Sequence, residues 1–367
     1  MCRRDLLGRH RHNRYLRSRQ LGAVDIRLGP VAGCRAYHLP MASPRLRLVA
    51  DVRDQIDSLD PAAVCIGPGG DLWMIAHDRP RSDAERDHSV PPEPQHLTVL
   101  NFREGVLNSA VTVAHAGKRA FVQPLGPDRI LLVAARTAGQ PNARVVDSKG
   151  STVSEFILGD GIEDVQTTRA GDVWVSYYDQ GTFMGCWQAE GKSDSIPYAD
   201  RDLSGPISFG DGSNNEHYGL LRTSAEGQVS WRFTNTETIE PIMWCDGLNA
   251  FGDGSVVWAC YSIFPEAATT LSPVVRIEPD GARRVWYVES DPGRALAVHG
   301  ETILLGGAYG QPGSLLLGRL GEWGAVDGLQ SVEGIPIDDD ALPRIIGRGP
   351  VVHWIDGTRW YVLDLRD

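Results

Sequence analysis

Six stretches of the chain repeat one short strand: Gly70–Ile75, Asp128–Val133, Gly171–Ser176, Gly254–Ala259, Glu301–Gly306 and Gly349–Trp354. A unit this short cannot bury its faces alone. Stacked copies bury one another, and strands recurring between glycine turns point to a β-propeller. With Trp73, Leu131, Trp174, Val257, Leu304 and Val352 taken as equivalent, the gaps are 58, 43, 83, 47 and 48 residues. A four-stranded blade needs roughly 40–50 residues. The first and third gaps therefore carry insertions, placed at Arg79–Gln95 and Met184–His217.

An apolar strand precedes each marker: Ala62–Ile66, Phe121–Leu125, Ile162–Thr167, Gly247–Phe251, Ala295–Val298 and Pro343–Ile346. After most markers comes a hairpin whose turn holds a glycine, as at Glu104-Gly105, Lys149-Gly150, Glu226-Gly227 and Asp280-Gly281. Glycine there supplies the positive φ that tight hairpins require. Each unit thus reads as inner strand, marker strand and outer hairpin. The last unit has only three strands before the chain ends, and a ring with an open sheet edge is a liability. A strand within Leu21–Val52 is expected to complete that sheet and give six blades. If Leu21–Val52 forms a blade of its own, the count is seven.

Charge separates an N-terminal arm from this ring. Residues Met1–Gln20 hold seven arginines and one aspartate, +6, so the rest carries −17 of the chain's net −11. The arm reads as a basic, disordered tail without the apolar core of a secretory signal, and residues 21–367 as one propeller domain. An acidic body does not suit nucleic acid or an anionic membrane. No apolar run reaches the length of a membrane span. The six cysteines lack CxxC spacing and read as reduced thiols, which places the protein in the cytoplasm.

Propeller inner strands surround a central channel, and polar residues on them are the candidates for chemistry. They are Gln123, Glu163, Asp164, Gln166, Asp246, Asn249, Arg294 and Arg344, with Cys65 from the first unit. Carboxylates and amides from successive blades that converge on the axis supply the oxygen ligands that a hard divalent cation such as Ca²⁺ takes. The same groups could instead pair with Arg294 and Arg344 across a solvated channel. At the rim, Tyr178 and Asp179 leave one marker strand, and His77 and Arg136 leave two others. One of Glu163, Asp164 and Asp179 could act as a general base. Equally, Asp160 and Asp179 could cap turns. There is no GxSxG elbow, phosphate-binding glycine loop or HExxH motif.

The repeat resembles six-bladed propellers of the gluconolactonase/regucalcin and NHL type, from about Pro61 onward. The run Gly161–Gln166 followed by Gly171–Gly181 is similar to uncharacterised actinobacterial propeller proteins. In gluconolactonase-like enzymes a Glu and Asn/Asp residues from inner strands hold a divalent cation. The resemblance implies that role for Glu163, Asp246 and Asn249. Two functions are therefore expected of such a chain. One is a small-molecule site at the channel mouth, with metal-assisted hydrolase or lyase chemistry. The other is a non-catalytic scaffold that binds a protein partner across its face and long loops.

Overall fold

A computed structural model of the chain describes residues 45–56, 59–78, 96–114, 120–136, 140–178, 182, 218–236, 239–263, 271–291, 293–308, 311–332 and 343–367. Both predicted insertions lie outside these residues, as do the N-terminal arm and Asp179.

The described strands form six four-stranded antiparallel sheets. The chain enters through β1 (Arg47–Asp51) and a short helix, α1 (Arg53–Ile56). Blade one is β2 (Asp60–Ile66), β3 (Leu72–His77), β4 (His96–Arg103) and β5 (Val106–Ala114). Blade two is β6 (Ala120–Pro124), β7 (Arg129–Ala134), β8 (Ala143–Asp147) and β9 (Thr152–Phe156). Blade three is β10 (Ile162–Thr167), β11 (Val173–Tyr177), β12 (Leu220–Thr223) and β13 (Val229–Arg232). Blade four is β14 (Trp244–Ala250), β15 (Val257–Ser262), β16 (Ser272–Ile277) and β17 (Arg283–Val288). Blade five is β18 (Ala295–His299), β19 (Thr302–Ala308), β20 (Gln311–Leu320) and β21 (Val326–Ser331). Blade six takes β22 (Arg344–Arg348), β23 (Val351–Asp356) and β24 (Arg359–Asp364) from the end of the chain.

Its fourth strand is β1, antiparallel to β24 with Arg47 opposite Val362 and Asp51 opposite Arg359. The expected N-terminal strand therefore closes the ring inside the last sheet. The seven-blade alternative fails because this segment pairs with an existing sheet. Closure by backbone hydrogen bonds ties the start of the domain to its end and removes an unpaired edge.

Burial explains why the marker strands repeat so clearly. The second strand of each blade lies between neighbouring sheets, so both its faces are covered. Every residue of β11 is buried, and so are five of the six in β15 and in β23. A strand covered on both sides reads as a continuous apolar run rather than an alternating one. Outer strands face solvent, and β5 is mostly exposed. Six hydrophobic clusters fill the seams between blades. Leu131 and Val133 of blade two meet Val165 and Val175 of blade three. Leu72 and Met74 of blade one meet Ile355 and Trp360 of blade six.

Two glycines show how tightly the ring is drawn. In the β4–β5 turn, Glu104 and Gly105 both take positive φ, 51° and 82°, as a two-residue primed hairpin turn needs. A Cβ on Gly105 would collide with Ala50 of the closing strand. Gly347 lies so close to blade five that a Cβ would strike the Leu296 carbonyl.

Candidate functional site

All six inner strands run in the same direction along the axis, so their first residues gather at one end and their last at the other. The two ends differ in chemistry.

The ends of the strands form a plug. Arg348, at the end of β22, is 5% exposed. Its Nε donates to the Gly67 carbonyl at 3.2 Å and its Nη1 to Gln166 Oε1 at 2.7 Å, and its Nη2 donates to the Thr167 carbonyl. Gln166 Oε1 also accepts the Ala250 N–H at 2.9 Å, while its Nε2 donates to the Leu248 carbonyl at 2.8 Å. Asn249 Nδ2 donates to the Leu296 and Gly349 carbonyls, both at 2.8 Å, and its Oδ1 accepts the Gly349 N–H at 2.6 Å. Gln123 Oε1 accepts the Thr167 hydroxyl at 3.2 Å, and its Nε2 faces the Ile66 carbonyl at 3.4 Å. Cys65 Sγ donates to the Val122 carbonyl. Burial raises that thiol well above its ordinary pKa, which leaves it protonated and inert. These groups use their capacity in stitching blade to blade, as buried polar atoms must.

This arrangement corrects part of the expected site. Gln123, Gln166 and Asn249 are buried and committed to inter-blade hydrogen bonds. Asn249 also sits three residues beyond Asp246 on β14, about 10 Å along a strand, whereas Ca²⁺ ligands lie at about 2.3–2.6 Å from the ion. Among the described residues no group of three His, Cys, Asp or Glu side chains could hold a metal. The proposed ligand set of Glu163, Asp246 and Asn249 therefore does not fit a metal centre.

The beginnings of the strands surround a cavity of about 770 Å³. Every blade contributes. Pro61–Val64 of β2 and Ala120–Phe121 of β6 give an apolar wall; Glu163 of β10 and Trp244 of β14 follow; Arg294, just before β18, and Arg344 of β22 complete the circuit. The two arginines are exposed. Neither forms a hydrogen bond or ion pair among the described residues.

The carboxylates respond to these surroundings. Asp246 is half-buried and accepts the Ser262 hydroxyl at 2.8 Å. Burial pushes its pKa up to about 7; Asp291 and Glu163 push the same way, and Arg294 opposes them. A carboxyl group titrating near neutrality can both take and give a proton. Asp164 accepts the Val165 N–H at 2.9 Å and Gln166 Nε2 at 3.1 Å. Its pKa is nevertheless raised by burial, against the attraction of Arg344.

Tyr178 lines the cavity from the end of blade three's second strand. Arg136 Nη1 donates to its hydroxyl at 2.6 Å, and Arg136 Nε pairs with Asp160 at 3.0 Å. A guanidinium has no acceptor, so the Tyr178 hydroxyl keeps its own proton for a different partner. Asp160 thus anchors Arg136 beneath the rim. His77 is buried at the end of β3 and does not line the cavity.

Sequence reasoning brought together Glu163, Tyr178, Arg294 and Arg344, which share the cavity. It missed Arg348. The signal was the polar residue at the end of successive inner strands, in Gln166, Asn249 and Arg348.

No family model matches the chain, and no curated protein matches it. Several solved structures are similar to it. A glucose dehydrogenase is 11% identical over 88% of this chain and 99% of that one, with a TM-score of 0.44. A protein proposed to be a gluconolactonase is 12% identical over 88% and 93%, with a TM-score of 0.41. A Bacteroides caccae protein of unknown function is 13% identical over 61% of this chain, with a TM-score of 0.36, and the match spans 65% of that protein's length. The assignment of a six-bladed β-propeller rests on the strand pairing of this chain, in which β1 closes the last sheet.

Proposed function

We propose that this propeller binds a small molecule at the channel mouth where its inner strands begin. The observation that carries the reading is the contrast between the two ends. One holds a cavity of about 770 Å³ with charged and aromatic side chains, and the other is closed by the Arg348 network. The volume lies within the roughly 300–1,000 Å³ usual for small-molecule sites. Glu163, Tyr178, Arg294 and Arg344 would contact the ligand. If the bound molecule reacts, Glu163 is the carboxylate on the lining and the candidate general base.

Affinity selection tests the reading. The protein is incubated with a metabolite extract, and retained molecules are identified by mass spectrometry. Ala63→Trp would fill the apolar side of the cavity. Molecules retained by the native protein and lost by a folded Ala63→Trp variant are the expected result. Identical retention by both proteins would place binding elsewhere.

The scaffold reading keeps one observation in its favour. Trp323, in the outer hairpin turn of blade five, is 95% exposed. Trp323→Ser should weaken capture of a protein partner if that turn is a contact, and should leave mouth ligands unaffected.

A further inference from the structure

The lining of the mouth offers more donors than acceptors. Arg294 and Arg344 bring two exposed guanidiniums that form no hydrogen bond or ion pair among the described residues. Tyr178 adds a hydroxyl proton that Arg136, itself only a donor, does not accept. The indole N–H of Trp244, another lining residue, is buried and lacks an acceptor among the described residues. Glu163 is the one carboxylate among the described lining residues, and it already has an interaction of its own. One carboxylate against two guanidiniums leaves the lining with a net charge of +1.

The other carboxylates nearby do not discharge the arginines. Asp164 attracts Arg344, but its oxygens accept the Val165 N–H and Gln166 Nε2. Asp246 attracts Arg294, but it stands off the lining and accepts the Ser262 hydroxyl. Both arginines are rooted on fixed backbone. The Arg294 N–H donates to the Gly306 carbonyl at 2.8 Å, and Arg344 lies opposite Ile355 in the β22–β23 ladder. They stand on adjoining strand starts: a Cβ on Gly307 would lie 3.7 Å from both Arg294 Cβ and Ile345 Cδ1. Beyond blade six the circuit continues into Ala63 and Val64 of blade one and Phe121 of blade two, which carry no charge. A pair of guanidiniums therefore borders an apolar wall.

We propose that the mouth is a site for organic monocarboxylates with an apolar body, of the arylacetate or short fatty-acid type. The carboxylate lies between Arg294 and Arg344, whose planar forks match its two oxygens. The body lies against Val64 and Phe121. A single charge is assigned because it balances the net charge of the lining. A second would meet Glu163, with Asp164 and Asp246 behind it. The Tyr178 hydroxyl donates to a further oxygen where the ligand carries one. This inference rests on the mouth being a small-molecule site, and deepens that reading by naming the class.

Isothermal titration of the full chain supplies the test. The probes are phenylacetate, phenylacetamide and phenyl phosphate, with hexanoate, hexanamide and acetate. Phenylacetate and hexanoate are expected to bind. Their amides should bind about tenfold more weakly, the equivalent of 1.4 kcal/mol. Acetate, which lacks the body, and phenyl phosphate, which carries a second charge, should also be weaker. Arg294→Gln and Arg344→Gln should each bring the ratio of acid to amide affinity close to one. Arg319→Gln, on the outer hairpin of blade five, should leave that ratio unchanged. Circular dichroism melts check that the variants remain folded, and either mouth variant alone carries the test. Amides that bind as well as their acids, phenyl phosphate that binds more tightly than phenylacetate, an unchanged ratio in a folded mouth variant, or no binding by any probe would overturn the proposal. If affinity selection meanwhile yields neutral ligands lost in Ala63→Trp, the small-molecule reading stands and only the ligand class fails.

Discussion

Replacing Arg348 by methionine should cost the ring about 3 kcal/mol. The guanidinium lies at the closed end of the channel and joins three blades. It belongs to blade six, donates to Gly67 beside blade one, and donates to Gln166 and Thr167 of blade three. Burial lowers its pKa to about 10, against the attraction of Asp164 and Asp71, so it remains charged at neutral pH. A hydrogen bond to a charged group contributes roughly 1.5–3 kcal/mol net. Methionine removes three of them. The Gly67 and Thr167 carbonyls lose their charged donor, while Gln166 Oε1 keeps the Ala250 N–H. Against this, burying the guanidinium itself costs several kcal/mol, and the variant is relieved of that cost. The balance is a loss of about 2–4 kcal/mol. Urea unfolding followed by tryptophan fluorescence would read it as a lower midpoint with an unchanged slope. Arg348→Lys keeps a charge but not the fork and should fall between the two. A methionine variant as stable as the native protein, or more stable, would refute the plug as an element that holds the ring together.

Other outcomes follow from the same geometry. His353 is buried, its Nδ1 accepts the Trp360 N–H at 3.1 Å, and its pKa is lowered to about 3. The unfolded chain takes up that proton near pH 6.5 and the folded chain does not. Stability present above pH 6.5 should thus be lost toward pH 3, by about 1.4 kcal/mol per pH unit, and His353→Gln should flatten that slope in urea melts at stepped pH. Asp246 has the opposite sign, since its folded pKa of about 7 lies above the unfolded value. Its contribution is present below pH 3.8 and lost as pH rises through 7, so Asp246→Asn should gain stability relative to the native protein at pH 8 but not at pH 4. Arg136→Met should weaken mouth ligands about as much as Tyr178→Phe, because the first releases the hydroxyl that the second deletes, and the double variant should add little in titration. Gly347→Ala should destabilise by about 1–3 kcal/mol from overpacking against Leu296, seen as a lower melting temperature.

How much of this was legible in the sequence depended on what covers each strand. Runs such as Val173–Tyr177 are apolar throughout because sheets flank them on both sides, and those runs revealed the repeat. The closing strand is different. Arg47–Asp51 is only partly buried and leaves Leu48 half exposed, so its own residues barely announce a strand. It was expected because the last sheet lacked a fourth member. Glu163, Arg294 and Arg344 were legible as polar residues on strands that border the axis. Their separation from Gln123, Gln166 and Asn249 was not, since all lie on the same strands. A few residues of rise decide whether a side chain meets the mouth or the plug, and composition does not record that distance. Arg348 follows Ile345-Ile346-Gly347 at a strand end and reads locally as a solvent-facing terminus. Only the meeting of blades one, three and six shows that it is buried. Asp179 and both insertions fall outside the described residues.

A crystal structure of the protein with a molecule retained by affinity selection would test the central claim most directly. Ligand density bounded by Glu163, Tyr178, Arg294 and Arg344 is the predicted result. Density seated elsewhere, such as against Trp323 on the outer rim, with the mouth free at saturating ligand, would contradict it.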